Sequence, residues 1–145
     1  MVEPEIDEVV ALLFQLTTDL RQRFADRAAD CDLSLAQGLA LRHLDQPLPM
    51  RELAQQLCCD ASNVTGIVDR LEERGLVERW VDPGDRRVKQ LVLTRAGRAV
   101  RQRLYDAFVV DLPLVDELSA PDRRRLVGLL RRSVGEGGSR RPTGR

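Results

Sequence analysis

Lysine is almost missing from this chain: Lys89 is the only one, and every other base is an arginine. Arginine is the better planar fork for phosphates and guanine edges. GC-rich coding gives the same excess, so the preference alone selects no partner. Histidine is as scarce, with His43 alone, and the three cysteines, Cys31, Cys58 and Cys59, show no spaced ligand set, so no metal centre is expected. An odd cysteine count without an export signal argues against a disulfide framework. No apolar run reaches the roughly 20 residues that a membrane helix needs. The first residues, MVEPEIDEVV, are acidic where a signal peptide would be basic, so a cytoplasmic chain with no membrane partner is expected. A Gly-rich phosphate loop and a nucleophile motif are both lacking. Glu72 and Glu73 are helix neighbours whose side chains diverge, so they cannot act as a paired acid and base. No enzyme activity and no cofactor are expected.

Net charge is also lacking, with 23 bases against 23 acids. The distribution is less even. Residues 1–30 hold seven acids and three bases, whereas residues 70–103 hold ten bases and five acids, and residues 121–145 hold eight bases and two acids. A neutral total can therefore conceal the local basic face that phosphate binding requires.

What is present is mostly helical periodicity. Ile6, Val9, Val10, Leu13, Phe14, Leu20 and Phe24 recur at 3–4 spacing and predict a long amphipathic helix over 4–28. Ser34 and Gln37 fit a capping box for a helix running to about His43. Gln46-Pro47-Leu48-Pro49 breaks the chain, and Pro49 suits the first turn of the next helix. Met50–Leu57 turns Leu53, Ala54 and Leu57 inward. Asp60 then caps a helix over Ala61–Arg74 with Val64, Ile67, Val68 and Leu71 on one stripe, and Gly75 closes it. The period then falls to 2. Val77, Arg79 and Val81 alternate with Glu78 and Trp80; Asp82-Pro83-Gly84-Asp85 is turn chemistry; and Val88–Leu93 returns as a β-branched strand. Thr94 opens a helix to about Val110, with Ala96, Val100, Leu104 and Phe108 on one face. Ser119-Ala120-Pro121-Asp122 caps a last helix bearing Leu126, Leu129 and Leu130. The Gly/Arg/Ser/Pro-rich residues 135–145 are expected to be disordered.

Helix, short turn, helix and hairpin over residues 49–93 describe a helix-turn-helix with a wing. In such a unit the second helix enters the major groove of double-stranded DNA with its N-terminal residues at the base edges. The apolar stripe leaves Ser62, Asn63, Thr65 and Arg70 outward, and small Ala61 and Gly66 permit close approach. Ordinary capping polarity after Asp60 also accounts for the short polar residues. The wing tip carries Arg86 and Arg87, with Lys89 beyond, able to enter a narrow minor groove. Asp85 suits the orientation of a neighbouring guanidinium.

The run DASNVTGIVDRLEERGLVERWVDPGDRRVKQLVLTRAG resembles the MarR family of bacterial regulators. The wing signature, Asp-x-Arg followed after five residues by Leu-Thr and then Gly, is met by Asp85, Arg87, Leu93, Thr94 and Gly97. Leu71-Glu72 and Gly75-Leu76-Val77 match the stretch that joins recognition helix to wing. The resemblance implies a mainly α fold with a small β-hairpin wing: a winged helix-turn-helix at about 34–97 within one domain, 1–134. It implies flanking dimerisation helices, 4–28 and 95–134. It implies a homodimeric repressor on a pseudo-palindromic operator. It also implies a small anionic or phenolic effector bound near the first two helices, with Phe14, Arg21, Phe24, Arg42 and His43 as candidates. Two other readings stay open: a cysteine-based redox regulator, and a winged-helix interaction module that does not bind DNA.

Overall fold

The computed structural model describes residues 3–87 and 89–134, in two units divided after Asp111. In the first, Pro4 opens helix α1 (Pro4–Ala29), where its missing N–H and fixed φ cost nothing and Glu5 and Asp7 favour the helix dipole. Helix α2 (Leu35–His43) starts on the expected capping box, with the Ser34 hydroxyl accepting from the Gln37 N–H and the Gln37 side-chain amide oxygen accepting from the Ser34 N–H. A two-residue strand β1 (Leu48–Pro49) precedes α3 (Met50–Gln56) and α4 (Ala61–Glu73). Strands β2 (Val77–Val81) and β3 (Lys89–Leu93) then lead to α5 (Arg95–Val110). The second unit contains α6 (Pro113–Glu117) and α7 (Ala120–Val134). The expected strand residue Val88 and the 135–145 tail lie outside the described residues.

The sheet is antiparallel in the order β1-β3-β2, with Val77 opposite Leu93 and Arg79 opposite Leu91. Periodicity does not reveal β1, because two residues are too few to alternate. Pro49 lies there opposite Gln90 and immediately precedes α3, rather than forming that helix's first turn. At a sheet edge its lack of an N–H is harmless. The short α6 is likewise absent from the sequence expectation.

The core of the first unit joins Phe24 and Ala28 of α1 to Leu41, Leu53, Val64, Val68, Leu71, Val77, Leu91 and Leu104. Phe24 meets Phe108 edge-to-face, with ring centroids 5.2 Å apart. Each fully buried leucine contributes about 1.5–3 kcal/mol through burial. Against expectation, Ala96 is exposed and Gly97 takes the buried place at the start of α5. The early half of α1 is not part of this core: Ile6, Val9, Val10, Leu13 and Phe14 are exposed, Phe14 to 72%. In the second unit Val127, Leu129, Leu130 and Val134 of α7 are exposed as well.

Candidate nucleic-acid interface

The helix proposed to enter the groove is α4, and its start is built by one carboxylate. Asp60 accepts from the Asn63 N–H (2.8 Å), from the Ser62 hydroxyl (2.7 Å) and from the Asn63 amide (3.3 Å). The first two bonds hold this carboxyl below its ordinary value near 3.8. Because the folded value is depressed, the cap stabilises the helix above the ordinary carboxylate range, and this is lost as pH falls through the folded value. Asp60→Ala should therefore lower the thermal midpoint at neutral pH, and the difference from wild type should close as the solution is acidified. Asp60→Asn, which keeps an acceptor at the cap, should lie between the two. A pH-independent gap measured by thermal melts would contradict the role of the charged cap.

Val64, Val68 and Leu71 bury one side of α4, and Ser62, Asn63, Thr65 and Arg70 are exposed on it. The capping expectation is met. Ser62 and Asn63 are tied to Asp60, while the Thr65 hydroxyl donates to the Ala61 carbonyl (2.8 Å). These bonds hold the short polar groups on the surface, leaving hydroxyl lone pairs that can accept from base N–H groups and one Asn63 amide N–H that can donate to a base or a phosphate. Beside them Ser34, Gln37, Gly66 and Ile67 complete a small polar notch where α2 meets α4.

The wing tip is shaped by two local turns. The Asp82 carboxylate accepts from the Gly84 N–H (2.8 Å), and that of Asp85 from the Arg87 N–H (3.0 Å). Asp85 thus bonds the main chain of Arg87 rather than a guanidinium. Arg86, Arg87 and Lys89 are exposed, and among the described residues the guanidiniums of Arg70, Arg86 and Arg87 form no ion pair.

Arg79 is a site residue that the sequence expectation omits. From β2 it donates to Asp69 and Glu72 of α4, fastening the wing strand to the recognition helix. Its signal lies in the alternation, which puts this base on the same strand face as the buried Val77. Further along, Arg74 at the end of α4 donates to the Asp32 (2.5 Å) and Cys31 (3.1 Å) carbonyls, holding that end to the loop before α2.

A cleft of about 730 Å³ opens within the same unit. Phe24, Leu48 and Leu104 supply apolar lining, and Arg42, His43, Arg101 and Tyr105 supply polar groups. Three of the expected effector residues, Phe24, Arg42 and His43, meet there. Phe14 is exposed beside Gln15 and Gln22, lining another groove, and Arg21 is exposed; neither lines the cleft. Phe24 is only 4% exposed and belongs as much to the core. Arg101 and Tyr105 are additions to the expected set. Burial, reinforced by Arg42 and opposed by Asp45, pushes the His43 imidazole below its ordinary 6.5.

A helix-turn-helix followed by an arginine-tipped hairpin defines a winged helix-turn-helix protein. The sequence model of the MarR family matches residues 33–89. The transcriptional repressor NicR of Pseudomonas putida is 34% identical over 118 residues, which cover 77% of this chain and 72% of NicR. A probable transcriptional regulator from Pseudomonas aeruginosa is 31% identical with a TM-score of 0.64, over 86% of this chain and 96% of that one. A Staphylococcus aureus MepR variant bound to an oligodeoxyribonucleotide shares the fold at 22% identity, with a TM-score of 0.58 over 87% of this chain and 95% of that one. The chain belongs to the MarR family of DNA-binding transcriptional regulators. No helix among its described residues is long and apolar enough to cross a membrane.

Proposed function

We propose that the chain is a repressor that binds a pseudo-palindromic operator as a homodimer. Ser62, Asn63, Thr65 and Arg70 of α4 face the major groove, and Arg86, Arg87 and Lys89 of the wing flank it, with Asp85 shaping the tip. The observation that carries this reading is the exposed small polar surface of α4 together with wing-tip guanidiniums that form no ion pair among the described residues. The relative NicR is named a repressor. Dimerisation is supported by two apolar faces, that of α1 from Ile6 to Phe14 and that of α7 from Val127 to Val134, each uncovered within its own unit. Exposed apolar surface of that extent marks an interface. Selection of bound sequences from random duplexes should recover two inverted half-sites about one helical turn apart. Recovery of a single unpaired half-site would remove the dimer, and recovery of no preferred sequence would remove the operator.

The cleft lined by Phe24, Arg42, His43 and Arg101 supports an effector of small, aromatic and anionic type. Leu104 and Phe24 present an apolar floor, Arg42 and Arg101 present cations, and a neutral His43 is free to donate or accept a hydrogen bond. A simple phenolic acid should raise the thermal midpoint in a concentration-dependent way, reaching about 2.7 kcal/mol of stabilisation at a hundredfold excess over Kd. Arg101→Gln should abolish the shift. An equal shift in that variant would place the ligand elsewhere.

A further inference from the structure

The turn between α3 and α4 holds two adjacent thiols that the DNA-binding reading leaves unused. Cys58 is exposed and Cys59 half-buried. In a strand, neighbouring side chains point to opposite faces, and in a helix they diverge. Here Cys58 has a left-handed backbone, φ 51°, and both residues line one shallow cleft with Met50, Ala54 and Ala61. The lining is mostly apolar and the space about 560 Å³, enough for an aromatic ring. The backbone around the thiols is fixed, since Cys58 N–H donates to the Gln55 carbonyl and Cys59 N–H to that of Ala54. Asp60, the cap of α4, follows immediately.

We propose that Cys58 and Cys59 form a two-thiol binding site for trivalent aryl arsenicals, and that its occupation weakens DNA binding. The chemistry is ligand exchange. Two As–S bonds form while two As–O bonds of the arsonous hydrate break, and each thiol proton leaves on a departing hydroxide as water. Arsenic stays trivalent, and no oxidant or reductant is consumed. The aryl ring lies on Met50, Ala54 and Ala61, which provides apolar contact that free arsenite lacks. The adduct spans the two residues before the Asp60 cap, so it alters the start of the helix that faces DNA. This regulatory half rests on the DNA-binding function of α4; the binding half does not.

The test uses phenylarsine oxide on the reduced, desalted full-length chain. Mass spectrometry should show one phenylarsenic per chain, with two thiols lost to titration. The adduct should survive a monothiol wash and be released by a dithiol. Cys58→Ser and Cys59→Ser should each lose the wash-resistant adduct, because a single As–S bond exchanges freely. A wash-resistant adduct persisting in either variant would overturn the site. Affinity for the selected duplex should fall at least tenfold in the loaded wild type and remain unchanged in treated Cys58→Ser. Unchanged affinity in the loaded wild type would overturn the regulatory half. If the untreated protein bound no duplex, the fault would lie with the operator reading, and the mass measurement would still decide the site.

Discussion

Replacing Gly97 with alanine should cost the fold about 3–5 kcal/mol, among the larger effects that a single added methyl produces. A Cβ at Gly97 would sit 1.9 Å from the Leu76 carbonyl oxygen and 2.9 Å from its carbon. Both are main-chain atoms, so no side chain can swing aside to relieve the overlap. The carbonyl cannot easily retreat either, because it accepts from the Thr94 N–H (3.1 Å). The Thr94 hydroxyl in turn accepts from the Gly97 N–H (2.9 Å) and donates to the Gly75 carbonyl (2.6 Å). Recognition helix, wing and α5 all meet at this knot, so the insult should spread to the DNA-binding surface. For a domain of this size the thermal midpoint should drop on the order of 10–20 °C. Gly66→Ala is the opposite case. Nothing lies within 4 Å of the added Cβ, and alanine favours a helix interior by roughly 0.5–1 kcal/mol, so the midpoint should rise slightly. If that same variant binds DNA less tightly, the open space at Gly66 is groove clearance. Circular dichroism melts of both variants read the signs directly. A Gly97→Ala chain melting at essentially the wild-type midpoint would refute the close approach.

Gly97 also shows what kind of information the sequence carries. The motif marks it as a fixed position, yet periodicity assigns the inward face of α5 to its neighbour Ala96. Helical spacing counts side chains, and a residue buried because it has none is invisible to it. The same limit explains the cleft. Arg42 and His43 enter the expected set through the family resemblance, whereas Arg101 and Tyr105 join them only through the packing of α5 on α2. Phe14 misleads for the converse reason. Its spacing matches that of Phe24, but the core ends before it, and no pattern within α1 says where coverage stops. The capping box at Ser34, the Asp60 cap and the positive φ of Gly75 are all legible, because each is a local hydrogen-bond or steric requirement. The two-residue strand β1 is not, since its pairing with Leu91 and Gln90 is long-range.

Arg87→Ala should weaken operator binding about tenfold and reduce the slope of log affinity against log salt by about one, the signature of one lost phosphate contact. Arg79 acts at a distance, fastened to α4 and touching no DNA itself. Its ion pairs are partly exposed, so Arg79→Gln should cost the fold only about 0–1 kcal/mol. It should nevertheless release the wing strand from α4, so that the wing tip no longer arrives in register with the recognition helix. Arg87→Ala should then cost much less in the Arg79→Gln background than in wild type, a coupling of about 0.5–1.4 kcal/mol across a double-mutant cycle, the upper figure being the whole tenfold effect. Freed carboxylates on Asp69 and Glu72 would also repel phosphate and must be separated from lost geometry. Combining Asp69→Asn, Glu72→Gln and Arg79→Gln removes that repulsion along with the fastening. If geometry is what Arg79 provides, the triple variant stays weak and remains insensitive to Arg87→Ala. If the triple variant recovers wild-type affinity and Arg87 regains its full tenfold effect, Arg79 acts only by masking charge. Strict additivity of Arg79→Gln with Arg87→Ala would leave the two residues independent and the wing held by its strand pairing alone.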